Sequence, residues 1–187
     1  MNDAVPVPRW VLFWSIALGG ATFDLVTKTL VFARIGAPPA PPITLIPNVL
    51  ELHTSYNRGA LWGFGRGLPH SSLIFAALSV VAAVAICYWL FVKKAGTDAW
   101  LTAALGLIMA GALGNCFDRL VLGHVRDFVH FHVDPVGFDC AIFNFADNML
   151  VAGAVVLMLL ALRPEPAPPP QTLEPAGAQH PTNVQTS

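Results

Sequence analysis

FNFADNMLVAGAVVLMLLAL, residues 143–162, decides how this chain is read. From Val151 to Leu162 it carries no charge, and the whole run is as long as a helix needs to cross a bilayer core, roughly 20 residues. Yet it begins with Asn144, Asp147 and Asn148. An acid at the mouth of a lipid-crossing helix is expensive and marks a functional site by default.

The rest of the chain fits a membrane class. Of 187 residues, 55% are hydrophobic and 11% charged, against about a quarter charged in a soluble domain, and the mean hydropathy is +0.62. Three further stretches are long and apolar enough to span: about 10–33, interrupted by Asp24 and Lys28; about 72–92; and about 99–117. Four spans put both termini on one side. The first stretch could also be read as a cleaved signal peptide, but Asp3 before it and the apolar pattern resuming after Lys28 favour a retained span. The net charge of -1 gives no case for a nucleic-acid partner. Cys87, Cys116 and Cys140 make neither a disulfide framework nor a zinc signature; they read as small buried hydrophobes.

The connections are unequal. Spans two and three are joined by the short basic KKAGTD, 93–98, whose Lys93 and Lys94 argue for the cytoplasmic side. The other two are long, and ITLIPNVLELHTSY (43–56) and VRDFVHFHV (125–133) alternate like strands that could pair into a small sheet at the membrane surface. The charge rule is not clean, since Arg34, Arg58, Arg66 and Arg126 then fall outside. The expected domain is therefore 1–163, all-α and four-spanning with a small extracytoplasmic sheet, followed by a disordered Pro-rich cytoplasmic tail, 164–187.

In an up-and-down arrangement the end of span one, the start of two, the end of three and the start of four share one face. The polar residues sit at those ends: Asp24 and Lys28, then Asn115, Asp118 and Arg119, then Asn144 and Asp147. Each has an ordinary structural reading. Asp24 and Lys28 make a favourable i, i+4 pair, Asp118 and Arg119 an interfacial cap or bridge, and Asp147 a helix-start acid. Asp127, on an alternating segment, has no helical reason to be there. Two carboxylates brought close cannot both ionise easily, so one keeps a proton and the pair offers an acid and a base together. That suits peptide hydrolysis without metal or covalent intermediate. No GxSxG or HExxH occurs. Spacing alone does not choose the pair among Asp24, Asp118, Asp127 and Asp147.

At these residues the chain resembles lipoprotein signal peptidase, or signal peptidase II. DLVTK (24–28), NRGALWG (57–63), GNCFDRLVLGHVRDF (114–128) and FNFAD (143–147) match the family's four motifs in order and spacing. The resemblance implies an aspartic endopeptidase of the bacterial inner membrane. It would remove the signal peptide from a diacylglyceryl-modified prolipoprotein, cutting just before the lipid-bearing cysteine, at a site open to the outer leaflet. It implies Asp127 and Asp147 as the catalytic dyad. Asp24, Lys28, Asn57, Gly59, Asn115, Asp118, Arg119 and Asn144 would form the supporting shell. No cofactor or metal is expected, membrane lipid is an expected partner, and the cyclic peptide globomycin is an expected inhibitor.

Three rivals remain at this level. A proton-coupled transporter would need polar groups through the depth of the bundle. A metallopeptidase would use Asp127, His130, His132 and Asp134, although these histidines and His124 read more simply as loop polar residues. A non-catalytic assembly subunit would not need its acids for proteolysis.

Overall fold

The computed structural model describes residues 5–59, 64, 65, 67–96 and 98–163. The expected tail, 164–187, and the end of the NRGALWG stretch lie outside them. Four helices carry the chain: α1, Val7–Ile35; α2, Ser71–Cys87, continued by a π-helical turn to Val92; α3, Ala99–Leu122; and α4, Phe145–Ala161. The first three are long and apolar enough to cross a membrane. At 17 residues, α4 is shorter. A helix thus stands at each of the four expected stretches, with shifted ends. The third runs past Phe117 to Leu122, where Gly123 takes the left-handed φ of 76° that stops a helix, its N–H returning to the carbonyl of Arg119.

Helix α3 is the hub and packs against α1, α2 and α4. Its composition explains this. Small residues let helices approach closely when no hydrophobic drive separates them from lipid. A Cβ at Gly106 would lie 3.1 Å from Ile16 of α1. One at Gly153 of α4 would lie 2.7 Å from the Ala104 carbonyl oxygen, and one at Gly111 would run into the Ala146 carbonyl and Leu150. Leucine, valine and phenylalanine side chains of α1, α2 and α4 point outward, among them Leu18, Leu30, Leu78, Val81 and Val151. This is an inside-out pattern that suits lipid rather than water.

The bundle is divided along its length. At the end carrying the α2–α3 link, Phe13, Ala17, Ile86, Leu90, Leu105 and Met109 form an apolar core, and Trp10 stacks on Phe91 at 3.7 Å. At the other end the buried residues include Asp24, Lys28, Asn115, Asp118 and Asn144.

Over that polar end lies a four-stranded antiparallel sheet in the order β1-β2-β3-β4: Ile43–Ile46, Leu50–Asn57, Val125–Val133 and Phe138–Asp139. Segment 125–133 is one strand as expected, whereas 43–56 is a hairpin of β1 and β2 that turns at 47–49, where Asn48 has a φ of 61°, and it is β2 that pairs with β3. The β2–β3 register contains one irregularity. Leu52 faces Val129 and Ser55 faces Asp127, so three steps on β2 oppose two on β3. The extra residue shifts the alternation of β2 by one. It thereby turns Asn57 to the same face as Asp127, one diagonal step away.

Gly111→Val and Gly153→Val should each lower the thermal midpoint in detergent, costing about 1–3 kcal/mol through overpacking. Gly19→Val, with nothing within 4 Å of its added carbon, should leave it unchanged. Equal midpoints for all three variants would remove the close α3–α4 contact from the account.

Candidate active site

Asn144 organises the site. It precedes α4 in extended conformation, and its side-chain oxygen accepts from the Asp147 N–H at 3.0 Å. The Asp147 carboxylate reaches back to accept from the Asn144 N–H at 3.2 Å. This reciprocal capping satisfies two orphan donors of the first turn. One group of Asn144 is left over. Its amide Nδ2 donates to Asp127 Oδ1 at 2.6 Å. A single residue therefore holds both carboxylates, one through its backbone and one through its side chain.

Asp127 reaches it by strand pairing. The segment before α4 returns along β3, where Val129 and Phe143 exchange backbone hydrogen bonds of 2.8 and 3.0 Å. This delivers Asn144 to the edge at which Asp127 sits. From the opposite edge Asn57 Nδ2 donates to Asp127 Oδ2 at 3.1 Å. Asp127 is 2% exposed. Burial, then the Asp147 charge beside it, pushes its carboxyl up to about 7, against the pull of the two amide donors. A solvated strand-edge position is thus excluded for Asp127.

Below the pair is a buried ionic base. Asn115 donates to Asp147 Oδ1 at 2.8 Å and accepts from Lys28 Nζ at 2.9 Å. Lys28 also pairs with Asp24 at 2.7 Å and lies 3.4 Å from Asp118. Asp24 accepts from the Ala146 N–H at 2.9 Å, so α1 caps the start of α4 directly. Gly114 makes room for this, since a Cβ there would lie 2.5 Å from Asp24 Oδ2. Asp118 is held by Arg126, through its backbone N–H at 3.0 Å and its guanidinium at 2.8 Å. To the side, Gly59 links two more members. Its N–H donates to Asn57 Oδ1 at 2.9 Å, and its carbonyl accepts from Arg119 Nη2 at 3.0 Å.

All ten residues singled out in the sequence converge on this assembly. The structural readings of Asp24, Lys28 and Asp147 hold as well, because the same bonds that build the site also cap and pair the helices. Arg126 was not among the ten. The alternation of its segment signals only a strand, and its partner Asp118 lies eight positions back across a helix end, a relation no helical or strand period exposes. His130 and His132, odd–even opposites of Asp127 along β3, face away from it, so the rival metal set of Asp127, His130, His132 and Asp134 is not brought together.

Two grooves meet at Asp147. One, of about 340 Å³, runs between α2, α3 and α4, lined by Phe75, Leu78, Ala112 and Leu150 and ending at Asn115 and Arg119. The other, of about 300 Å³, lies between sheet and α4, lined by Asn57, Phe131, Cys140, Phe143 and Asn148.

Residues 16–163 match the family model described as signal peptidase (SPase) II. The chain belongs to the signal peptidase II family. It is 36% identical over 168 residues to a lipoprotein signal peptidase of Rhodopirellula baltica, covering 83% of this chain and 74% of the relative. Against the lipoprotein signal peptidase of Paraburkholderia phytofirmans the identity is 40% over 149 residues, 79% and 83% of the two chains. A solved bacterial membrane enzyme superposes with a TM-score of 0.71 at 30% identity, covering 87% of this chain and 92% of its own. The chain is thus a multi-pass membrane protein and an aspartic signal peptidase, acting in removal of signal peptides from prolipoproteins.

Replacing Lys28 by Met leaves Asp24 and Asp118 buried without their shared cation. Stability should fall by about 3–5 kcal/mol, measured by thermal unfolding in detergent, and Asp24→Asn in the same chain should restore part of it. A Lys28→Met protein as stable as the parent would show that the base is not an ion cluster.

Proposed function

We propose that Asp127 and Asp147 are the catalytic dyad. The observation that carries this is the double hold of Asn144, which ties the buried Asp127 and the half-buried Asp147, where both grooves meet, to a single residue. With its carboxyl raised to about 7, Asp127 keeps its proton in about half of the molecules at pH 7 and in most of them below it, so it is the acid, and Asp147 is the base. Asp147 takes a proton from a water as its oxygen attacks the scissile carbonyl. Asp127 gives its proton to the carbonyl oxygen. Collapse of the resulting gem-diol breaks the C–N bond: one hydroxyl returns its proton to Asp127 as the carbonyl re-forms, and the leaving amine takes the proton that Asp147 holds. Asn57, Gly59, Asn115, Arg119 and Asn144 position the pair and the extended peptide. Asp24, Lys28 and Asp118 hold Asn115 and the start of α4.

The substrate is a prolipoprotein whose cysteine already carries diacylglycerol, cut just before that cysteine. Its acyl chains and apolar signal helix both hold the bond at the membrane interface, level with the polar end of the bundle. An apolar groove and a sheet-edge groove meeting at Asp147 suit a peptide that is lipidic on one side and extended on the other. The basic link at Lys93 and Lys94 supports both termini in the cytoplasm and the sheet on the outer face of the bacterial inner membrane. A globomycin-type cyclic peptide would occupy the same junction.

Purified protein given a diacylglyceryl-modified prolipoprotein should cleave it, with and without chelator. Asp127→Asn and Asp147→Asn should each lower kcat by at least about 10³-fold, one member of a two-residue machine being worth as much as both. Cleavage persisting in both variants would remove the dyad.

The pH dependence follows from the Asp127 environment. Its protonated form is the active one, and its carboxyl titrates near 7, so kcat/KM should fall as pH rises through about 7. The fall belongs to the coupled pair rather than to one residue. A profile flat from pH 6 to 9 would contradict the assignment of Asp127 as the acid.

A further inference from the structure

The face of the sheet turned away from Asp127 carries a second constellation, which the cleavage reaction does not use. Glu51 of β2 and His130 of β3 are direct cross-strand partners, and His132 stands two residues further along β3 on the same face. One ligand atom from each of these three residues lies within 4.8 Å of the others. Each side chain is oriented by a partner of its own. His130 Nε2 bonds Asp139 Oδ1 at 2.7 Å, and His132 Nδ1 bonds Asp134 Oδ1 at 2.7 Å. Thr44 donates to Glu51 Oε1 at 3.2 Å.

These partners fix the chemistry of what remains. A carboxylate only accepts, so both bonded imidazole nitrogens carry the proton. In the neutral rings the lone pairs are then on His130 Nδ1 and His132 Nε2. Both atoms are buried and without a hydrogen-bond partner. His130 Nδ1 lies 3.8 Å from Glu51 Oε2, so two acceptors confront each other across a gap that asks for a cation. A single divalent ion satisfies all three atoms. Imidazole and carboxylate ligands, each with an outer partner that sets its orientation, are the arrangement of zinc and related first-row metals.

We propose that Glu51 Oε2, His130 Nδ1 and His132 Nε2 form a binding site for a divalent transition metal, Zn²⁺ in the first instance. Asp139, Asp134 and Thr44 orient the ligands. In tetrahedral zinc geometry the ligand atoms stand about 3.3 Å apart, so small side-chain rotations close the site, with a fourth position left to water. The ion ties β2 to β3, and through Asp139 and Asp134 to the β3–β4 turn. It acts as a clamp on the outer end of the sheet, on the face away from the acid pair, and takes no part in the hydrolysis.

The test is zinc titration of the full-length protein in detergent, by calorimetry and by thermal midpoint after chelator treatment. Wild type and Asp127→Asn/Asp147→Asn should bind one equivalent at this site and gain several degrees in midpoint. His130→Gln/His132→Gln, shown to be folded by circular dichroism and gel filtration, should lose that equivalent and the gain. Asp134→Asn and Asp139→Asn should weaken binding 10- to 100-fold. Wild type that binds no zinc at 100-fold excess, or binding unchanged in the double histidine variant, would overturn the proposal. So would loss of the equivalent in the double aspartate variant, which would put the metal at the acid pair.

Discussion

The hold of Asn144 on two carboxylates is the constraint on which the rest of the site depends. Its backbone and side-chain oxygen close the first turn of α4 around Asp147, and its one remaining amide group takes Asp127. The bond requires β3 and the start of α4 to run side by side, which Val129 and Phe143 secure through the backbone. It also requires α4 to begin at a fixed height in the bundle. That height is set from α1 by the Asp24 carboxylate on the Ala146 N–H, and from α3 by small residues that let the two helices touch. Lys28 in turn keeps Asp24, Asp118 and Asn115 together. Stability and the proposed chemistry share these bonds, so the polar end of the bundle is at once its cap and its candidate active site.

The same economy explains the division of the bundle. Burying unpaired charge in lipid is costly, and burying it in a closed network is tolerable only when each member is satisfied. The ionic base does this with two carboxylates, one lysine and one arginine whose contacts interlock. At the far end the apolar core around Phe13, Leu90 and Met109 needs no such matching. A membrane peptidase needs water at one level only, and the network confines polarity to that level. The same argument weighs against a through-membrane proton path, since among the described residues the buried ionisable side chains lie at the polar end.

Much of this was legible in the sequence, for physical reasons. Span lengths follow from bilayer thickness, and the strands from alternation in 43–56 and 125–133. The clustering of Asp24, Asn115 and Asp147 follows from helix ends in an up-and-down chain. What the sequence does not expose is register. Nothing local says that β2 carries an extra residue between Leu52 and Ser55, yet that residue decides that Asn57 faces Asp127. Nor does spacing show that Arg126, not a helical neighbour, neutralises Asp118, or that β4 sets Asp139 beside His130. The rival metal set around Asp127 fails on strand parity, a local feature already legible in 125–133, which sends the histidines to the other face. The choice of Asp127 and Asp147 among four acids likewise came from family resemblance, not from spacing; Asn144 gives it a physical reason.

The most direct measurement is the pH profile of kcat/KM for Asn144→Ser beside wild type. Serine keeps the helix cap on the Asp147 N–H, and the backbone bond to Asp147 remains, but the amide that reaches Asp127 is gone. That amide favours the ionised form of Asp127, so its loss should move the descending limb upward from about 7 and lower kcat/KM by about 10-fold or more. A purely structural role for Asn144 would not move the limb. An Asn144→Ser profile that superposes on wild type would contradict the claim that this residue couples the two acids.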